Sequence, residues 1–268
     1  MSYQEQAPID SAKDNKSFIS RAVNSFELIC SPDTMSQICT YIDNGIFGFV
    51  AANHGSHSDG LAVAKLIEEI SKGSSKSIKF ILPVAASMEA GKQGDEAKNI
   101  LETFTPVCAA KGVEMIPVVR EKDIKKYGLR RNYENLRKIL MAHENGTTGI
   151  IALPEGSVQG GRKDENGNPY GIGQAEKGNL LDSMIPQHVK EGFNFFVVLA
   201  AINKSNNILS PDTFEIKLYP DVDKATITIS NTILTNSDFE NLNSPPTSLI
   251  MRTIASMLPP GYPRGIYK

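Results

Sequence analysis

From about residue 46 onward, short and nearly continuous apolar runs alternate with stretches whose apolar residues recur at helical spacing. "GIFGFVAA" (45–52), "SIKFILPVAAS" (77–87), "VEMIPVV" (113–119), "GIIALP" (149–154) and "NFFVVLAAI" (194–202) read as buried strands. They are short, rich in β-branched and aromatic residues, and bounded by turn residues. Between them, "LAVAKLIEEISKG" places Leu61, Ala64, Leu66, Ile67 and Ile70 mostly on one helical face, with Gly73 as its stop. "GDEAKNILETFTPVCAAKG" predicts helical stretches interrupted near Pro106, and "NYENLRKILMAHENG" a strong helix ending at Gly146. Strands without polar alternation, separated by helices, imply an α/β fold: a mainly parallel or mixed central sheet covered by helices on both faces.

The pattern changes toward the end of the chain. "TFEIKLYP" and "ATITISNT" alternate apolar and polar residues, as half-exposed antiparallel strands do. "SLIMRTIASML" (248–258) predicts a closing amphipathic helix. Its apolar side, Leu249, Ile250, Ile254, Met257 and Leu258, suits either the domain's own core or reversible contact with a membrane surface. Residues 1–17 are polar and read as a flexible tail, leaving 18–268 as one domain with a helical N-terminal segment. No apolar run approaches the roughly 18 residues that a membrane-spanning helix needs.

The 268 residues carry a formal net charge of −2, which gives no global reason to expect a nucleic-acid partner. Three cysteines, Cys30, Cys39 and Cys108, show neither metal-ligand nor redox spacing and fit a reducing compartment.

In open α/β sheets, ligands and chemistry gather beyond the carboxyl ends of the strands. Four stretches fall there: "NHGSHSD" (53–59), "VVREKD" (118–123), "LPEGSVQGGR" (153–162) and "AINKS" (201–205). His54 and Asp59 are five residues apart, about 140° of rotation on a helix, so they do not share a helical face. They meet only if His54 lies on the loop and Asp59 in the first helical turn. A carboxylate bonded to one imidazole nitrogen then fixes the tautomer and leaves the other nitrogen free to take a proton. On spacing alone, the competing reading stands beside it: Asp59 or Ser58 caps the helix and His54 is a loop residue. His54, His57 and Asp59 also contain a metal-ligand alternative, but no familiar zinc pattern supports it and no metal is expected. His57 reads as a solvated loop residue, His188 as surface, and His143 as a helix-end residue.

Arg120 directly follows a buried strand, where a guanidinium can hold a phosphate through two parallel hydrogen bonds. Arg137 and Lys138 read instead as a solvated helix face. "PEGSVQGGRK" has the glycine interval of a phosphate loop, but Arg162 and Lys163 stand at its Lys-Ser/Thr positions. Glu155 likewise excludes a nucleophile elbow at Ser157. The Gly-rich stretch 156–178 is either a loop over a site or plain surface.

Together these stretches resemble the glycerolipid acyltransferases, which acylate glycerol 3-phosphate and lysophosphatidic acid. "NHGSHSD" resembles their NHxSxxD motif, "GVEMIPVVR" the apolar strand that ends in Arg, and "LPEGS" the core of FPEGTRS. "AEKGNLL" is similar to the KxG segment beyond it. The order holds from about residue 46 to 202.

The resemblance implies a glycerolipid-acyltransferase-like fold and roles for the matching positions. His54 would be the general base and Asp59 its orienter. Arg120 would bind the acceptor's phosphate. Glu155 and Gly156 would help hold the acceptor with Ser157 nearby, and Asn53 and Ser56 would shape the loop. The donor would be an acyl thioester of coenzyme A or acyl carrier protein, used as co-substrate with no further cofactor. The acceptor would be a phosphorylated glycerol or a lysophospholipid. The implied location is cytoplasmic, with peripheral contact at the inner membrane surface if the substrates are lipids. Val158 and Gln159 depart from the family's Arg and Ser, and "VVLAAINK" lacks the proline usual in the fourth motif. These departures leave a catalytically silent lipid- or partner-binding member as the alternative.

Overall fold

A computed structural model describes residues 19, 21–85, 95–119, 129–155, 175, 179–205, 208, 224–260, 262 and 267. Side chains are described from residue 101 in the helix that begins at 95, and from 133 in the one that begins at 129. The architecture is α/β, with an eight-stranded, mostly parallel sheet flanked by helices on both faces.

The elements run β1 (Phe26–Ile29), α1 (Pro32–Asp43), β2 (Phe47–Ala52), α2 (Asp59–Gly73), β3 (Phe80–Ala85), α3 (Asp95–Ala110), β4 (Val113–Val118), α4 (Leu129–Leu140) and β5 (Gly149–Ala152). Next come α5 (Leu180–Glu191), β6 (Phe195–Asn203), β7 (Ala225–Ile229), β8 (Leu234–Thr235), α6 (Asn236–Phe239) and α7 (Pro246–Met257). Spatial order is β1-β7-β6-β2-β5-β3-β4, and β8 pairs with β6. β6 is antiparallel to β7 and β8, while the other pairings are parallel.

The central strands have no polar alternation because both of their faces are buried. Along β2, Phe47, Phe49 and Ala51 enter one core with α4, α5 and α7. Val50 and Ala52 enter the other with α1, α2 and α3. β6 divides in the same way, with Phe195, Val197, Leu199 and Ala201 facing one layer and Phe196, Val198, Ala200 and Ile202 the other. At the start of β5, Gly149 lies so close to β2 that a Cβ there would sit 2.1 Å from the Gly48 carbonyl oxygen. Any side chain would force the two strands apart.

Several expectations need correction. α3 runs continuously through Pro106. The proline is exposed, the Thr105 hydroxyl donates to the Leu101 carbonyl at 2.7 Å, and buried Leu101, Phe104 and Cys108 hold the helix on its layer. α4 ends at Leu140, and residues 141–146 are turns, with Gly146 in the left-handed region at φ +70°. In α2, Gly60, Ala62 and Val63 are buried along with the expected apolar stripe, because the helix is wedged between neighbouring helices and the sheet. β7 keeps the alternation expected of "ATITISNT" and is antiparallel to β6, but it pairs in parallel with β1 on its other side. "TFEIKLYP" lies outside the described residues.

The closing helix, α7, packs on the domain's own core. Ile250 and Ile254 have no exposed surface, and Arg252 and Ser256 face outward. The Thr247 N–H and hydroxyl both donate to Asp182 at 2.9 Å, tying α7 to α5. Ile250 and Ile254 are therefore not available to a bilayer. Among the described residues, no helix is long and apolar enough to cross a membrane.

Candidate active site

Parallel β2 and β5 are neighbours, but the connections leaving them lead to opposite faces of the sheet. β2 leads to α2, and β5 leads toward α5. Where neighbouring parallel strands send their connections to opposite faces, an α/β sheet characteristically offers room for a ligand at their carboxyl ends. The loop "NHGSHS" and Glu155 both stand there.

Asn53 fixes the start of the loop. It is 1% exposed, donates through its side-chain amide to the Ile202 carbonyl at 2.8 Å, and accepts the Ile202 N–H at 2.7 Å. This two-way bond extends β2 against β6 by means of a side chain. Ser58 fixes the other end, where its hydroxyl donates to the Ser205 carbonyl at 2.8 Å. Ser58 precedes α2 but forms no side-chain cap. Ser56 is fully buried, and its Oγ lies 3.1 Å from the Ser58 hydroxyl and accepts the Ser58 N–H.

The fold-back brings His54 to Asp59. His54 Nδ1 lies 3.0 Å from Asp59 Oδ2, and the same oxygen accepts the Ser56 N–H at 2.9 Å. A carboxylate only accepts, so Nδ1 carries the hydrogen and Nε2 presents its lone pair. The Asp59 side chain is fully buried and that of His54 is 16% exposed. The carboxylate is thus sequestered while the imidazole stays partly exposed. Asp59 is also the first residue of α2, a position that suits an anionic side chain. The two side chains are paired, and Ser58 makes no side-chain cap on α2.

Glu155, 3% exposed, accepts the backbone N–H of His54 across 101 residues of sequence. It anchors the loop backbone, a role that the motif did not suggest. Arg120, Gly156 and Ser157 lie outside the described residues, as do Val158 and Gln159.

His57 is not the solvated residue expected. It is half-buried with its ring centroid 6.3 Å from that of His54, and burial, reinforced by His54, pushes its pKa down to about 4. Tyr262 carries no signal in the sequence. Its phenol oxygen lies 3.7 Å from where a Cβ on Gly55 would be. Burial and the nearby Asp59 and Glu155 carboxylates push its pKa up, so it remains an O–H donor. It stands in "PPGYPRG", where no periodicity marks it; only the proximity of chain end and loop does.

The cysteines offer no competing nucleophile. All three are free, and burial pushes the Cys108 thiol up to about 12. Among the described residues, no group of three or more His, Cys, Asp or Glu side chains is placed to hold a metal ion. The carboxyl end of β2 therefore carries an imidazole held through Nδ1, a nearby phenol and a tightly fixed loop, and an imidazole held in this way is chemically suited to accepting a proton through its other nitrogen. No family model matches the chain, and no curated protein does.

Proposed function

We propose that the protein is an O-acyltransferase that moves a fatty acyl group from a coenzyme A or acyl-carrier-protein thioester to a hydroxyl of glycerol 3-phosphate or lysophosphatidic acid. The single observation that carries the proposal is the His54–Asp59 pair at the carboxyl end of β2, in which a buried carboxylate holds Nδ1 of a partly exposed imidazole. The acyl class rests on the resemblance of "NHGSHSD", "GVEMIPVVR" and "LPEGS" to the acyltransferase motifs.

His54 Nε2 takes the acceptor's hydroxyl proton as the oxygen attacks the thioester carbonyl carbon. Asp59 keeps Nδ1 protonated and stabilises the imidazolium that forms. Collapse of the tetrahedral intermediate breaks the C–S bond, and the imidazolium returns its proton to the departing sulfur. The products are an ester and a free thiol, with no acyl-enzyme. Tyr262 supplies an O–H donor beside the His54 loop, suited to developing oxygen charge. Arg120 is assigned to the acceptor's phosphate, and Gly156 and Ser157 to the acceptor itself. A soluble acceptor such as glycerol 3-phosphate requires no membrane, whereas lysophosphatidic acid calls for peripheral contact through a surface other than the buried side of α7.

Thiol release from an acyl thioester tests the reading, with glycerol 3-phosphate and lysophosphatidic acid offered in turn. Acceptor-dependent release with one of them is expected. Lipid binding without release would instead identify a catalytically silent member.

A further inference from the structure

Single exposed apolar side chains are ordinary, but a group of them is not. Among the described residues, four large hydrophobic side chains are exposed: Ile29, Tyr133, Leu140 and Phe193. Tyr133 and Leu140 both belong to α4, and Phe193 tilts its ring against His143 at 4.8 Å, just past the end of that helix. Tyr133 is 69% exposed and Leu140 45%. Seven residues apart, they lie within about 20° of each other around the helix and form one strip. Arg137, one turn after Tyr133, borders the strip and is exposed, as is Lys138 beyond it. Another side of the helix is fixed to the domain. Ile139 is buried, and the Asn135 side-chain amide donates to the Pro117 carbonyl at 2.7 Å, tying α4 to β4. The strip is thus held outward.

The charge beside the strip selects what it fits. The whole chain has a formal net charge of −2, yet α4 carries Arg130, Arg131, Arg137 and Lys138 against Glu134 alone. Glu144 follows beyond the helix, 3.7 Å from His143 Nε2, and Lys190 and Glu191, which precede Phe193, offset each other. Basic residues beside a tyrosine and a leucine suit a lipid headgroup boundary: the cations meet anionic headgroups while the two apolar side chains enter the acyl margin. A nucleic acid would engage the cations but leave Leu140 nothing to bury against, and a second copy docked symmetrically would set like charges face to face. α4 connects parallel strands β4 and β5, so its first turn lies toward their carboxyl ends, the end that carries His54.

We propose that the outer strip of α4, Tyr133 and Leu140 with Arg137 and Lys138 at its edge, docks the protein reversibly on an anionic lipid surface. The docking does not rest on the acyl-transfer reading, and its test needs no acyl donor.

Co-sedimentation of the full chain with vesicles is the test. Binding is expected to vesicles of equal parts phosphatidylglycerol and phosphatidylcholine, falling steeply as salt is raised, and about tenfold weaker or more to phosphatidylcholine alone. Arg137→Gln should weaken it about fivefold, the value of one basic side chain near an anionic surface. Tyr133→Ser combined with Leu140→Ser should weaken it about tenfold without lowering the melting temperature, since both side chains stand in water. Ile29→Ser, on β1 at the far edge of the sheet from β4, should bind like the wild type. No binding to the anionic vesicles, equal binding to both kinds, α4 variants that bind like the wild type, or an equal loss with Ile29→Ser would each overturn the proposal. Self-association that the double variant abolishes, with no vesicle binding, would assign the strip to a second copy of the chain instead.

Discussion

The two ends of β2 each carry a pair of histidines, and the protein treats them in opposite ways. At the carboxyl end, a buried carboxylate holds His54 Nδ1, and the imidazole stays partly open. At the amino end, a backbone carbonyl holds His188 Nδ1, and the ring is shut away among aromatic side chains. Both arrangements leave Nε2 bare. They differ in how well each tolerates a protonated ring: the Asp59 carboxylate can stabilise an imidazolium, whereas a carbonyl and apolar walls stabilise it far less. A base needs the first setting and a neutral hydrogen-bond acceptor the second. The partner of Nδ1, more than the presence of histidine, decides how well each ring could carry a proton.

The largest expected effect breaks the comparison at the His54 end. His54→Ala should lower acyl transfer by about 10²–10⁴-fold, the usual contribution of a general base, while His188→Phe leaves the rate within a few-fold. Steady-state thiol release measures both, and comparable losses would erase the distinction. Asp59→Asn comes next. An amide can offer Nδ1 a donor where the carboxylate only accepted, favouring the wrong tautomer, so a loss of about 10²-fold or more is expected. The melting temperature should be monitored alongside, since Asp59 also holds the Ser56 N–H.

A smaller effect sharpens the contrast within the His54 loop. In the unfolded chain His57 titrates near 6.5, but in the folded protein only at about 4. Between those values the unfolded state binds the extra proton, so the folded state is favoured above about pH 6.5 and loses stability as pH falls toward 4. The loss is about 3 kcal/mol if the whole shift is realised. The lowered pKa of His188 acts in the same direction. Urea unfolding at stepped pH should show the decline, and His57→Gln should flatten most of it while changing turnover only mildly.

The central strands were legible because burial on both faces writes a continuous apolar run, as in "GIFGFVAA" and "NFFVVLAAI". The His54–Asp59 pairing was legible because six residues span a strand-to-helix turn and leave few ways to fold back. Other features depend on partners far away in sequence. β1 is a four-residue strand whose mate among the described residues, β7, lies some two hundred residues later. Glu155 reaches His54 across the β2–β5 neighbourhood, and Tyr262 arrives from beyond α7. His188 misled because "IPQHVKEG" is polar around it, yet its helical position turns the ring inward beside Phe47 and Phe49. Pro106 misled because a local penalty was weighed without the packing that opposes it.

The most direct test of direct transfer by an oriented His54 is a single-turnover experiment, with enzyme in excess over acyl thioester and thiol and ester both measured. Without acceptor, the account predicts no rapid thiol release. With glycerol 3-phosphate or lysophosphatidic acid, thiol and ester should appear together in equal amounts. A burst of thiol before acceptor is added, or thiol released without ester, would contradict it.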